Sequence, residues 1–278
     1  PSSNHTYDIQ DYDYIDPHFG KIVDDKGELL SEQGQRNCDA TRYINRVTNL
    51  VNLEASNELF VKVVEEAHRR GMELHAWINP YRIARDSSEW ENLAEGSPAK
   101  QRPDWVVQHG EGYYFDPGRP EVRELVISGV MEIIKKYQVD GIHLDDYFYP
   151  GADFNDGASY AAYGAKFPDI GDWRRNNVNL LVSGLDASVH EENPDMEFGI
   201  SPSGIWASNT MHPEGSATTS SFSSYFSLYA DSRTWVREGW VDYIAPQLYW
   251  EIGHAKADFS ALLSWWSGVA KEAEEKDV

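Results

Sequence analysis

Strand-like and helix-like stretches take turns along this chain, and that alternation most narrows the folds open to it. The amphipathic run SNELFVKVVEEAHRRG carries Leu59, Phe60, Val63, Val64 and Ala67 at helical spacing, with Ser56 as predicted N-cap and Gly71 just past the end. The strand-like run MELHAWINP follows at once, and then a long polar loop containing Pro98 and Pro103. A second helix is predicted in RPEVRELVISGVMEIIKKY, with Pro120 in its first turn, lysines in its last, and Val122, Leu125, Val126, Ile133 and Ile134 turned inward. The strand VDGIHLDD comes next. After it the sequence predicts a helix from Asp172 to about His190, the strand EFGISPSG, a helix from Tyr225 to about Glu238, the strand VDYIAPQLYW, and a last helix from about Asp258 through Val269. Four βα units imply a parallel sheet flanked by helices, with elaborated loops at the strands' C-terminal ends. The expected class is therefore α/β, of the (β/α)8 TIM-barrel type, and 278 residues suit a single barrel domain. An open doubly wound sheet is the alternative, but none of the four strands is followed by the Gly-rich turn such sheets use for ligands.

Charge and composition exclude several functions. Forty-six acidic against 24 basic side chains give a formal net charge of -22, which repels polyanions and leaves no basic stripe, so nucleic acid is not an expected partner. No run of 18 apolar residues is present, and PSSNHTYD at the start of the sequence shown has neither a charged n-region nor an apolar h-region, so neither a membrane span nor a signal segment is expected in it. Cys38 is the single cysteine and has no nucleophile context. Aromatic residues make up 13 % of the chain, a surplus of flat rings of the kind that sugar-binding clefts use.

Strand parity sorts the polar residues. In GIHLDD, Ile142 and Leu144 share one face, expected to lie under the helices, while His143 and Asp145 share the other. The same rule sends His75, Trp77 and Asn79 inward on the earlier strand, Ser201 and Ser203 on FGISPS, and Gln247 and Tyr249 on DYIAPQLYW. An unpartnered buried polar group costs roughly 1–3 kcal/mol, so four strands turning such groups to one rim suggest a ligand site. Plainer roles exist for each. A lone aspartate at a strand end more often caps a turn, His75 and His143 can be satisfied core imidazoles, and Trp77, Tyr147, Tyr149 and Trp250 can simply pack. Asp8, Asp11, Asp13 and Asp16 could hold a structural Ca2+, but their spacing departs from an EF-hand loop, so turn or solvated roles are expected. Trp173 to Arg175 are expected to brace the scaffold through ion pairs.

Six ordered motifs, YYFDPGRPEVR, VDGIHLDDYFYP, DWRRNNVN, FGISPSGIW, YADSRTW and GWVDYIAPQLYW, together with HAWINPYR, resemble the bacterial glycosyl-hydrolase-like family ten over residues of about 72–278. That family's cell-envelope proteins have (β/α)8 barrels. PSSNHTYDIQDYDYIDPHFG with TRYINRVTNLVN and the following helix, about 1–71, instead resembles the alpha-amylase family, glycoside hydrolase family thirteen. Both resemblances imply glycosidic bond hydrolysis with a carbohydrate substrate and no cofactor. By similarity to the amylase strand motifs, Asp145 stands at the nucleophile position, His143 at an arginine position, Asn79 at the asparagine of an earlier motif, and Tyr7 at the ring stacking on the sugar. FGISPSG lacks the glutamate those enzymes use as acid/base, so Asp146 and Glu251 are the candidate proton donors. The larger resemblance implies bacterial cell-wall glycan as substrate and an extracellular or envelope location; the shorter one implies α-glucan. Both families use two barrel strands before the residue at Pro1 and two after Val278, so an incomplete barrel is expected. Two rival readings are a non-catalytic sugar-binding barrel and a metal-dependent deacetylase using His75, His143, Asp145 and Asp146.

Overall fold

The computed structural model describes residues 53–274, with side chains from 60 onward, and divides into two compact units, Pro1–Met72 and Glu73–Val278. In the first unit the described element is helix α1, Leu53–Arg69. Ser56, predicted as its N-cap, lies inside it. The helix closes where Gly71 adopts φ +69° and the amides of Gly71 and Met72 return to the carbonyls of His68 and Ala67. Glu66 accepts from the guanidinium groups of both Arg69 and Arg70 on the exposed last turns.

The second unit is mixed α/β around a four-stranded parallel sheet in the order β1 (His75–Ile78), β5 (Gly141–Leu144), β6 (Glu197–Ile200), β7 (Tyr243–Ile244). The side chains beneath it are those that alternation predicts: Ile142, Leu144, Phe198 and Ile200 are all fully buried. A Val-Asp pair precedes β5 and another precedes β7, and each aspartate ties its strand to a neighbour. Asp140 accepts the amide of Leu74 at 2.6 Å, and Asp242 accepts that of Phe198 at 2.7 Å. These carboxylates pin the strand starts and so set the register on which the opposite end depends.

The segment after β1 differs from the predicted polar loop. It folds into an antiparallel three-stranded sheet, β2 (Arg82–Ala84), β4 (Gly112–Phe115) and β3 (Val106–His109), with the short helices α2 (Ser87–Glu91) and α3 (Pro98–Gln101) between. These strands are short and their residues are mostly half-buried, so no apolar-polar alternation marks them in the sequence. Beside them, Ile83, Leu93, Leu125, Val126 and Ile133 line a mainly apolar pocket of about 370 Å³.

Helix α4 (Pro120–Lys136) and helix α6 (Ile170–Glu192) pack on each other. They come close at Gly184, where an added Cβ would meet Ile127 at 3.1 Å. Asp169 caps α6 by accepting the Asp172 amide at 3.0 Å, and Trp173, Leu181, Leu185 and Val189 form its buried stripe. Between α5 (Gly157–Tyr163) and the next strand, the DWRR motif supplies the brace expected of it. Arg174 pairs with Asp156 at 2.6 Å, both nearly inaccessible, and also donates to the carbonyls of Ala152 and Phe154 and to the Tyr229 hydroxyl.

That brace also explains a broken helix. The stretch predicted as one helix from Tyr225 to about Glu238 is a π-helical turn, Ser224–Leu228, then Tyr229 at φ +54°, then α7 (Ser232–Arg237). A left-handed tyrosine is unfavourable, and here its hydroxyl reaches Arg174 at 2.9 Å while its ring packs edge-on to Tyr149. Helix α8 (Phe259–Glu274) completes the unit, packing on α7. Among the described residues no helix is long and apolar enough to cross a membrane.

Candidate active site

Register arranges the face of the sheet away from Ile142 and Leu144 in rows. His75, Gly141 and Glu197 share the first row; Trp77, His143, Gly199 and Tyr243 share the second. Beyond the ladder the Leu144 carbonyl accepts from Ser201 N and the Ile200 carbonyl from Ala245 N, which carries Asp145 and Ser201 to a third row. A bridge between Ser203 and Gln247 makes the fourth.

Asp145 and Asp146 stand where β5 ends, both half-buried. The Gln247 side-chain amide donates to Asp145 Oδ1 at 3.0 Å and to the Ser201 carbonyl at 2.9 Å, so residues that follow three strands meet at one amide nitrogen. The Asp146 amide also donates to Asp145 Oδ1, at 2.8 Å. The two carboxyls lie within hydrogen-bond reach, and burial, then the adjacent Asp145 charge and the hydrogen bond between them, push Asp146 up to about 6. Asp146 therefore keeps its proton into the mildly acidic range, where an ordinary aspartate has lost it.

A row deeper, the Tyr243 hydroxyl sits between two imidazoles, 2.8 Å from His75 Nδ1 and 2.9 Å from His143 Nδ1. The other nitrogen of His143 lies 2.8 Å from Ser201 Oγ. Burial pushes the Tyr243 phenol up to about 12 and His143 downward, so both are neutral near pH 7. Two glycines make this possible. A Cβ at Gly199 would sit 2.1 Å from the Tyr243 ring and one at Gly141 2.7 Å from His75 Nδ1, so each ring lies across a neighbouring strand where only hydrogen fits.

The other candidates spread around and away from this centre. Asn79 accepts the Arg82 amide at 3.2 Å, and the Arg82 guanidinium lies 4.5 Å from the centre of the exposed Tyr147 ring. Trp77 and Tyr249 present large exposed rings, 57 % and 60 % accessible. Glu251 is exposed in the turn after β7, where its carbonyl accepts from His254 and Phe259. Trp250 packs against Ile205, Ala257 and Leu262, and Tyr149 is buried between Phe154, Tyr229 and Arg174. His75 belongs to the first row, at the opposite end of the strands from Asp145. The four residues of the metal reading therefore do not converge, because the second row separates His75 from the aspartates and both ring nitrogens of His143 are engaged. Tyr7, Asp8, Asp11, Asp13, Asp16 and Cys38 lie outside the described residues. Sequence reasoning missed Arg82 and Tyr243. Tyr243 has the parity of Gln247 and Tyr249, but its position at the strand start gave no hint that its ring crosses β6.

The sequence model of a family described as Glycosyl hydrolase-like 10 matches residues 25–276. The match begins well before residue 72, so the family pattern extends into the segment expected to be amylase-like. Glycosyl hydrolase YngK of Bacillus subtilis is 44 % identical over 214 residues, 75 % of this chain and 42 % of that protein. Glycosyl hydrolase DigH of Escherichia coli K12 is 40 % identical over 220 residues, 75 % of this chain and 50 % of that protein. The chain spans about half the length of these relatives. An intracellular maltogenic amylase of Bacillus subtilis is 23 % identical over 158 residues, 51 % of this chain and 21 % of that protein.

Proposed function

Because the chain belongs to the Glycosyl hydrolase-like 10 family, we propose that it hydrolyses O-glycosidic bonds of a polysaccharide at the C-terminal end of its parallel sheet. The observation that carries this reading is the Asp145–Asp146 pair, oriented by Gln247 and holding Asp146 at about 6. Glycoside hydrolysis needs one ionised carboxylate and one carboxylic acid whose proton is retained near neutral pH. Asp145, held by two N–H donors at Oδ1, is the nucleophile or stabilises the oxocarbenium-like centre, and Asp146 protonates the leaving oxygen. Retaining catalysis works at a carboxyl separation of about 5–5.5 Å, wider than a hydrogen bond, so the Asp146 side chain must swing away from Asp145 as the sugar enters. Glu251, exposed beyond Gln247, is the donor if Asp146 stays paired. Trp77, Tyr147 and Tyr249 supply stacking faces for sugar rings, and Arg82 and Asn79 supply polar contacts. The four parallel strands are read as part of a (β/α)8 barrel, and the site as its mouth.

Cell-wall peptidoglycan glycan is the proposed substrate, supported by the sequence resemblance to envelope proteins, and an extracellular or envelope location goes with it. The amylase match favours α-glucan as the second reading. Product analysis on purified peptidoglycan glycan and on starch, with Asp145→Asn run beside the wild type, tests both. Release of sugar from one polymer by the wild type alone supports the reading and identifies the polymer; equal release by both proteins removes Asp145 from the mechanism.

A further inference from the structure

At the N-terminal end of the sheet, Glu73, His75 and Glu197 bring one imidazole nitrogen and two carboxylate oxygens within 4.8 Å of one another. Glu73 and His75 lie at the start of β1, Glu197 at the start of β6, and Gly141 of β5 leaves the gap between them open. His75 Nε2 is 3.8 Å from a Glu73 oxygen and 3.7 Å from a Glu197 oxygen. Both glutamates are largely exposed, 72 % and 51 %, while the imidazole is 20 % accessible.

Both carboxylates face the same imidazole nitrogen from the starts of β1 and β6. The separations of 3.8 and 3.7 Å match the span of two bonds of about 2.0–2.2 Å meeting at an open angle on one ion. The other nitrogen, Nδ1, is 2.8 Å from the Tyr243 hydroxyl, the outer contact that fixes ring and tautomer in histidines that bind metal. With a cation on Nε2 the hydrogen bonds run one way. His75 Nδ1–H donates to Tyr243, Tyr243 O–H to His143 Nδ1, His143 Nε2–H to Ser201 Oγ, and Ser201 O–H to the Leu144 carbonyl at 3.5 Å.

We propose that Glu73, His75 and Glu197 bind a divalent transition ion of the zinc and cobalt class, which clamps the starts of β1 and β6 across β5. Imidazole with two carboxylates is a donor set for such ions, and solvent completes the coordination. The site is separate from the proposed glycosidase centre and does not depend on it.

The test is titration of Co2+ into the chelator-treated full chain, followed by visible absorption and calorimetry. One equivalent should bind with ligand-field bands, and Zn2+ should displace it. Glu73→Gln and Glu197→Gln, on exposed side chains, should each weaken binding about tenfold or more, since even outer contacts are worth that much. Tyr243→Phe should weaken it about tenfold while keeping all three ligands. His109→Ala, which removes the histidine paired with Asp153, should change nothing. No binding up to about 1 mM Co2+, or the same affinity in Glu197→Gln as in the wild type, overturns the proposal and leaves His75 an imidazole between two solvated carboxylates.

Discussion

At the C-terminal end of β5 two adjacent carboxyls lie half-buried and one is held at a raised pKa, whereas at the N-terminal end of the same sheet two exposed glutamates stand around an imidazole. The difference comes from what crosses the strands. At the first end Gln247 reaches from beyond β7 and orients one carboxyl while burial disfavours a second charge. At the other, Gly141 and Gly199 let His75 and Tyr243 lie over their neighbours, so the carboxylates stay outside in solvent. One parallel sheet thus carries a half-buried carboxyl pair at one end and a solvent-facing donor set at the other.

The largest effect expected is on turnover. Asp145→Asn should lower kcat on the substrate glycan about a thousandfold or more, while His75→Ala, if it folds, should change kcat far less; comparable losses would erase the distinction between the ends. Asp146→Asn should cost about 10²–10⁴-fold in kcat as the loss of a general acid. Activity that keeps near wild-type turnover in Asp146→Asn but collapses in Glu251→Gln would move the donor role to Glu251.

Next in size is the brace beneath the site. Arg174→Met leaves the Asp156 carboxylate buried without its partner and should destabilise the fold by about 3–5 kcal/mol in urea unfolding. Gly199→Ala forces the Tyr243 ring off β6 and should cost about 1–3 kcal/mol, with loss of the protection that His143 gains from that ring.

The smallest expected effect is on stability against pH. Asp146 titrates higher folded than unfolded, so its contribution is fully present below pH of about 4 and is lost as pH rises through about 6. Allowing for its partial exposure, that share is on the order of 1 kcal/mol. Asp146→Asn should therefore gain on the wild type by about that amount between pH 4 and pH 7, measured as the difference of two urea curves.

What the sequence made legible was the local periodic pattern. The stripe that buries Val122 and Ile134 and half-buries Leu125, Val126 and Ile133, and the alternation that buries Ile142 and Leu144 while turning His143 and Asp145 the other way, are short-period signals strong enough to read directly. The join between Gln247 and Asp145 was half legible, since parity put both on one face but could not say that they touch. The Tyr243 bridge was not, because it needs a ring to pass over a strand, and only the neighbouring glycines permit that. Tyr229 escaped for a related reason. Its left-handed backbone accompanies a tertiary contact with Arg174, 55 positions away, which no local pattern encodes.

The account depends on Asp146 keeping its proton because burial, and then the Asp145 carboxylate beside it, disfavour its ionisation. Carbon-13 titration of the Asp146 carboxyl reads this directly. The predicted value is about 6 in the wild type, falling toward the ordinary aspartate value in Asp145→Asn. An ordinary value in the wild type, or one that Asp145→Asn leaves unchanged, would contradict it.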